Sequence, residues 1–154
     1  LLYNIYMKIN KNKISIKNRA IDLCMAHNES LTPNRLVILD IMQEKNLAIS
    51  AYEINSILKK RRKNLNISSI YRVIEFWIKL KVIHRISLLN KFILCENTAE
   101  KHTHITNICT NCYNVIETCN KNMGLNFDKS SKNLGAILSP DINIEIPIIC
   151  RNCQ

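Results

Sequence analysis

Apolar residues recur at helical spacing through the first half of the chain and gather into short runs through the second, so the pattern predicts helices followed by strands. Ile14, Ile21, Leu23 and Met25 fit a loosely patterned first helix over Ile14–His27. Leu31-Thr32-Pro33 opens a second, with Thr32 as cap and Pro33 at the first helical position, running through Leu36, Leu39, Ile41 and Met42. Ser50 and Glu53 form a capping box before a third helix whose apolar face is Ile54, Ile57 and Leu58. The fourth helix carries a buried stripe of Ile67, Ile70, Ile74 and Trp77, and its other face shows Ser68, Ser69, Tyr71, Arg72, Glu75 and Lys79. Val82–Ser87 and Lys91–Glu96 then read as the two strands of a hairpin. Helices followed by a hairpin make a winged helix. Beyond a polar stretch at Asn97–Lys101, strand signals at Ile105–Ile108, Asn114–Glu117 and Ile142–Ile149 flank a helical stretch around Thr118–Lys132.

The chain has 154 residues, room for one ordinary domain or two small ones. Residues 47% hydrophobic and 22% charged describe a globular composition, and no apolar run approaches the roughly 20 residues of a membrane span. The N-terminus lacks the apolar core of a secretory signal, so a cytoplasmic protein is expected; a start at Met7 fits equally well, and residues 1–13 are expected to be disordered or untranslated.

Charge is divided unevenly. Residues 1–96 hold 17 basic and 7 acidic side chains, whereas residues 97–154 hold 5 of each. A basic first part joined to a neutral second part fits a polyanion-binding module with something attached, although a solvated basic surface would look the same. Short hydroxyls followed by Tyr71 and Arg72 on the open face of the fourth helix suit a major groove. The competing reading packs Tyr71 at the helix edge and leaves Arg72 solvated.

Six of the seven cysteines follow residue 94, and four of them form Cys109-x-x-Cys112 and Cys150-x-x-Cys153. In a reducing compartment such clustering means metal or redox chemistry. Four thiolates complete a tetrahedral Zn²⁺ shell with no position left for substrate, which makes the site a structural staple; disulfides or redox cysteines are the other uses of the pattern. A second set is His84 on the first hairpin strand, Cys95 on the returning strand, His102 and Glu117, with His104 competing for the place of His102. A symmetric turn centred between Leu89 and Asn90 would set His84 and Cys95 directly opposite each other, close enough to share one metal. His84, Cys95, His102 and Glu117 would give a two-nitrogen, sulfur and oxygen shell suited to Zn²⁺, though each residue alone has an ordinary structural use. The zinc-deaminase pattern and His-Glu-x-x-His are absent, and no nucleophile–base pair or phosphate-cradling glycine loop stands out, so catalysis is disfavoured.

Taken together, Leu31-Thr32-Pro33-Asn34-Arg35, Ile49-Ser50-Ala51-Tyr52-Glu53-Ile54, Ser69-Ile70-Tyr71-Arg72, the His-bearing hinge and the two Cys-x-x-Cys pairs resemble the ferric uptake regulator family, and most its zinc-sensing branch. The resemblance covers about Ala20 to the end of the chain. It implies an α+β fold: a winged-helix DNA-binding domain over 14–96, a hinge over 97–103, and a small α/β dimerisation domain over 104–154 held by the Cys₄ zinc staple. It implies two Zn²⁺ per subunit, a structural one on Cys109, Cys112, Cys150 and Cys153 and a sensing one on His84, Cys95, His102 and Glu117. Tyr52, Ser69, Tyr71 and Arg72 would contact double-stranded DNA, with Lys59, Lys60, Arg61 and Arg62 attracting phosphates.

The function implied is a homodimeric, zinc-responsive repressor of zinc-uptake genes on an AT-rich, pseudo-palindromic operator, without membrane partners. An iron- or peroxide-responsive regulator of the same family is the nearest alternative, and a zinc-stapled interaction or buffer protein without DNA specificity is the other. Cys95 favours zinc over iron because a thiolate is a softer ligand than a carboxylate. Two features depart from the family pattern. Tyr113 stands where a glycine usually follows the first cysteine pair, so the turn must avoid positive φ or tolerate strain, and Cys24 and Cys119 have no assigned role.

Overall fold

The computed structural model describes residues 16–95, 104–119, 127–137 and 143–154. They belong to two compact units, one of residues 1–85 and 91–95, the other of residues 86–90 and 96–154. Among the described residues no helix is long and apolar enough to cross a membrane. Residues 1–13 and the stretch 97–103, where a hinge is expected, lie outside the described set.

Among the described residues the first unit holds four helices and two short strands. Helix α1 covers residues 16–26, α2 Pro33–Lys45, α3 Ala51–Lys60 and α4 Ile67–Lys79; strands β1 (Ile83–Ile86) and β2 (Lys91–Leu94) follow. Local chemistry explains the boundaries. Thr32 Oγ1 accepts from the Arg35 N–H at 3.3 Å with Pro33 at the helix start, and α2 ends where Asn46 turns left-handed at φ 50°. The capping box forms in full: Glu53 N–H donates to Ser50 Oγ at 3.2 Å, and Ser50 N–H donates to Glu53 Oε2 at 2.7 Å. Helix α4 begins on a cap absent from the sequence reading, Asn66, whose Oδ1 accepts from the Ser69 N–H at 2.7 Å.

The stripe of α4 is buried as expected at Ile70, Ile74 and Trp77, with Ile67 half-buried at its edge. It meets Val37, Ile38, Leu39, Ile41 and Met42 of α2, Ile54 and Leu58 of α3, and Phe92 and Leu94 of β2 in one core. Cys24 is part of that core, so its role is packing; burial pushes its thiol pKa up. Arg35, read from the sequence only as part of a motif, joins α2 to α4 and to the loop that precedes α2. Its guanidinium lies 3.3 Å above the Phe76 ring, its carbonyl accepts from Trp77 Nε1 at 3.1 Å, and it pairs with Glu29.

The second unit contains a three-stranded sheet in the order β4-β3-β5, with β3 His104–Cys109, β4 Val115–Cys119 and β5 Asn143–Ile148. Strand β3 runs antiparallel to β4 and parallel to β5. Its central place explains why Ile105, Thr106, Asn107, Ile108 and Cys109 are all buried. Pro147 lies on β5 at the sheet edge, where a missing N–H costs no ladder bond.

A helical stretch beginning at Thr118 is not what forms. Thr118 and Cys119 complete β4, and the helix among the described residues is α5, Phe127–Asn133; residues 120–126 lie outside the described set. Thr118 is β-branched and paired with Ile105, and its hydroxyl accepts from Asn107 Nδ2 at 2.9 Å, which holds it in the sheet.

Candidate metal centre and nucleic-acid interface

Parallel pairing of β3 with β5 creates the first site. Because Cys109 faces Ile148 in that register, the chain leaves both strands at the same end of the sheet, and the Cys-x-x-Cys turn after each strand meets the other. Cys109 closes β3 and Cys112 sits in the turn to β4; Cys150 follows β5 and Cys153 lies in the short 3₁₀ helix Arg151–Cys153. The Tyr113 N–H donates to the Cys109 carbonyl at 2.9 Å, and Tyr113 takes φ 58°, so the turn tolerates the left-handed conformation without glycine.

The four sulfur atoms lie within 4.8 Å of one another, and Cys112 Sγ and Cys150 Sγ are 3.6 Å apart. Zn–S bonds of about 2.3 Å in a tetrahedron require sulfur–sulfur edges of about 3.8 Å, so the residues fit the ion. Electrostatics point the same way. Main-chain N–H groups of Cys150 and Cys112 donate to the Cys109 sulfur and lower its pKa to about 6. Hydrogen bonding with the Cys112 and Cys150 side chains pushes Cys153 up to about 12. One thiolate forms easily, and a full set of four requires a cation among them.

Cys109 and Cys150 are buried, Cys153 is half-buried and Cys112 exposed, so the cluster lies at the surface end of the sheet.

The hairpin corrects one expectation. Its turn is closed by the Asn90 N–H donating to the Ser87 carbonyl at 3.2 Å, and the Cys95 N–H donates to the Val82 carbonyl at 2.9 Å. The hairpin is therefore centred on Leu88-Leu89, one position earlier than the midpoint of His84 and Cys95 requires. Cys95 faces Val82 rather than His84, because a four-residue turn with Asn90 at φ 48° sets the register. His84 and Cys95 are instead diagonal neighbours on one face, still within the reach of long side chains. Cys95 is buried, His84 is half-buried, and the His84 Nε2 atom is itself buried.

In the second unit Glu117 sits on β4 opposite Thr106, half-buried, with its Oε2 atom buried. His104 is at the start of β3, in register with Cys119 and Asn143. His102 lies outside the described residues.

On the basic side, Tyr52 projects from the first turn of α3 with 67% of its surface exposed, and Lys59, Lys60, Arg61 and Arg62 are exposed at the far end of the same helix. Arg61 is already engaged, forming an ion pair with Glu44. On α4, Arg72 is exposed, Ser69 is half-buried beside its cap, and Tyr71 packs edge-on against Phe92 with ring centroids 6.3 Å apart. That packing leaves Tyr71 half-buried, so Tyr52 is the more exposed aromatic of this helix pair.

Comparison with known proteins accounts for this combination of winged-helix elements and Cys₄ sheet. The model of the ferric uptake regulator family matches residues 27–138. The chain belongs to that family. A zinc uptake regulation protein of Escherichia coli (strain K12) is 31% identical over 98 residues, covering 63% of this chain. The match spans 57% of that relative's length, a little over half. A ferric uptake regulation protein of Bordetella parapertussis is 28% identical over 122 residues, 78% of this chain and 86% of the relative. Among solved structures, a zinc uptake regulator complexed with zinc and DNA superimposes with a TM-score of 0.76 at 26% identity, covering 92% of this chain and 94% of that one.

Proposed function

We propose that this member of the ferric uptake regulator family is a zinc-responsive, DNA-binding transcriptional repressor of zinc-uptake genes that acts as a cytoplasmic homodimer, and not an enzyme. The observation carrying the reading is the thiol of Cys95 on the same hairpin face as His84. A regulator tuned to iron has no need of a soft sulfur ligand there, whereas zinc favours one. Similarity to a zinc uptake regulator complexed with zinc and DNA supports the same choice.

The division of labour follows from the residues. Residues 14–96 form the DNA-binding part, 97–103 the hinge and 104–154 the dimerisation part. Cys109, Cys112, Cys150 and Cys153 hold the structural ion in a closed thiolate shell and so fix the end of the sheet. His84, Cys95, His102 and Glu117 hold the sensing ion, with His104 as the alternative to His102; that gives two ions per subunit. Bound zinc supplies strong, directional bonds to these nitrogen, sulfur and oxygen atoms.

Because the four sensor ligands come from hairpin, hinge and β4, only one arrangement of the hairpin satisfies all of them. In a two-fold dimer that arrangement sets the separation of the two α4 helices, which requires a pseudo-palindromic operator. Tyr52, Ser69 and Arg72 face the groove, and Tyr71 meets it only with the part of its ring not packed on Phe92. Lys59, Lys60, Arg61 and Arg62 supply phosphate attraction, Arg61 by exchanging its Glu44 partner. Linkage makes the effect reciprocal, so operator DNA tightens zinc binding by the same factor.

The test is fluorescence anisotropy of an AT-rich palindromic duplex and a scrambled control across a buffered free-zinc series. Sequence-specific binding that rises with zinc is the expected result. Equal, zinc-independent binding to both duplexes would leave a stapled nucleic-acid binder without a sensor, and specific binding driven by iron instead would move the protein to the iron-sensing branch.

A further inference from the structure

The turn of the hairpin is held by a carboxylate that the metal and DNA assignments do not use. Glu145, on β5 in register with Thr106, accepts two main-chain hydrogen bonds, from Ser87 N–H to Oε1 at 2.6 Å and from Leu88 N–H to Oε2 at 2.9 Å. All three residues lie within the second compact unit. The geometry selects a carboxylate: two consecutive donors need two acceptor oxygens, and a carboxamide would turn an N–H toward one of them. The turn itself is already closed by its own Asn90-to-Ser87 bond, so the outward Ser87 and Leu88 amides are surplus to the hairpin and available to an outside acceptor. Leu88 is 60% exposed, which means water can satisfy these amides when Glu145 lets go. The contact is thus strong when made and cheap to break, as a reversible latch requires.

We propose that Glu145 is a positioning residue that latches the hairpin turn and, through the continuous strands β1 and β2, holds His84 and Cys95 where the sensing ion is bound. This inference rests on the zinc-responsive reading above. His84 is three residues before Ser87, and Cys95 lies five beyond Asn90, so displacement of the turn is carried along both strands. Releasing the latch makes those two ligands pay the ordering entropy of the hairpin when metal binds.

The experiment compares wild type, Glu145→Gln and Glu145→Ala as full-length proteins in two measurements. Hydrogen exchange of the 86–90 segment reads the contact itself. The free-zinc midpoint of specific DNA binding reads its consequence. Glu145→Ala is expected to speed exchange of the turn and to raise the zinc midpoint, each about tenfold, the size of one partly exposed charge-assisted pair. Glu145→Gln, retaining one acceptor, falls between. Metal bound by the Cys₄ cluster and the oligomeric state stay as in wild type. Exchange identical to wild type in Glu145→Ala overturns the latch. Faster exchange with an unchanged zinc midpoint overturns the positioning role and leaves Glu145 a surface anchor. Wild-type DNA binding that ignores zinc overturns the functional reading and with it the positioning role, while exchange still decides the contact.

Discussion

Replacing Cys112 by Ser removes one of the four staple ligands, and the loss of folded structure should stop at the boundary between the two compact units. Cys112 and Cys150 are separated by 37 residues, and a cross-link closing a loop of that length removes unfolded-chain entropy worth about 4 kcal/mol. Against this, the fully buried aliphatic side chains described in the sheet are Ile105 and Ile108, each contributing about 1.5–3 kcal/mol. Loss of the staple therefore costs as much as deleting one or both of them, in a unit too small to absorb it. Among the described residues nineteen form the buried core of the first unit, which contains none of the four cysteines. Hydrogen exchange resolves the two. In Cys112→Ser, or in wild type stripped by a strong chelator, the amides of Ile105 and Ile108 should lose protection while those of Ile70 and Ile74 keep theirs. Sheet amides that stay protected once the metal is gone would show that the staple is dispensable. Simultaneous loss in both units would show that the division into separate cores is wrong.

Cys95→Ser should raise the zinc concentration needed for specific DNA binding by at least about tenfold while metal at the Cys₄ cluster is retained, which elemental analysis of the purified variant reads directly. Loss of both metals would merge sensor and staple into one site. Tyr52→Ala should weaken operator binding by about 1–3 kcal/mol with little effect on scrambled DNA, whereas Lys60→Ala should weaken both duplexes and lower the salt slope by about 0.9. Ser50→Ala should destabilise the first unit by about 1 kcal/mol in denaturant titrations, because it opens the capping box. Burial alone would raise the pKa of Glu53, but hydrogen bonds from Ser50 and the Lys91 ammonium bring the net value below the ordinary carboxylate range. Its contribution is then present above the unfolded carboxylate pKa and is lost as pH falls through the lower folded value, so the acid side of the stability profile should flatten in Glu53→Gln.

Much of the first unit was legible because its signals are local. A cap, a proline and an apolar period of 3.6 act within one helix, and Thr32, Pro33, Ser50, Glu53 and the stripe ending in Trp77 behave as their chemistry dictates. The cysteine pairs announced a metal because no other use of four thiols at that spacing is as common. What the sequence could not supply was pairing. Parallel alignment of β3 with β5 joins residues some forty positions apart, and only that alignment brings the two cysteine turns to one end of the sheet. Register is equally nonlocal: the turn at Leu88-Leu89 shifts Cys95 from His84 to Val82, a difference that apolar alternation alone does not resolve. Tyr71, with the pattern of an exposed groove residue, packs on Phe92 because the returning strand arrives beside it. Glu145 reads as an ordinary strand carboxylate until the fold brings two hairpin amides to its oxygens. Residue type and spacing determined the chemistry available to this protein; strand pairing decided which groups meet, because contact between distant segments depends on packing that no local window contains.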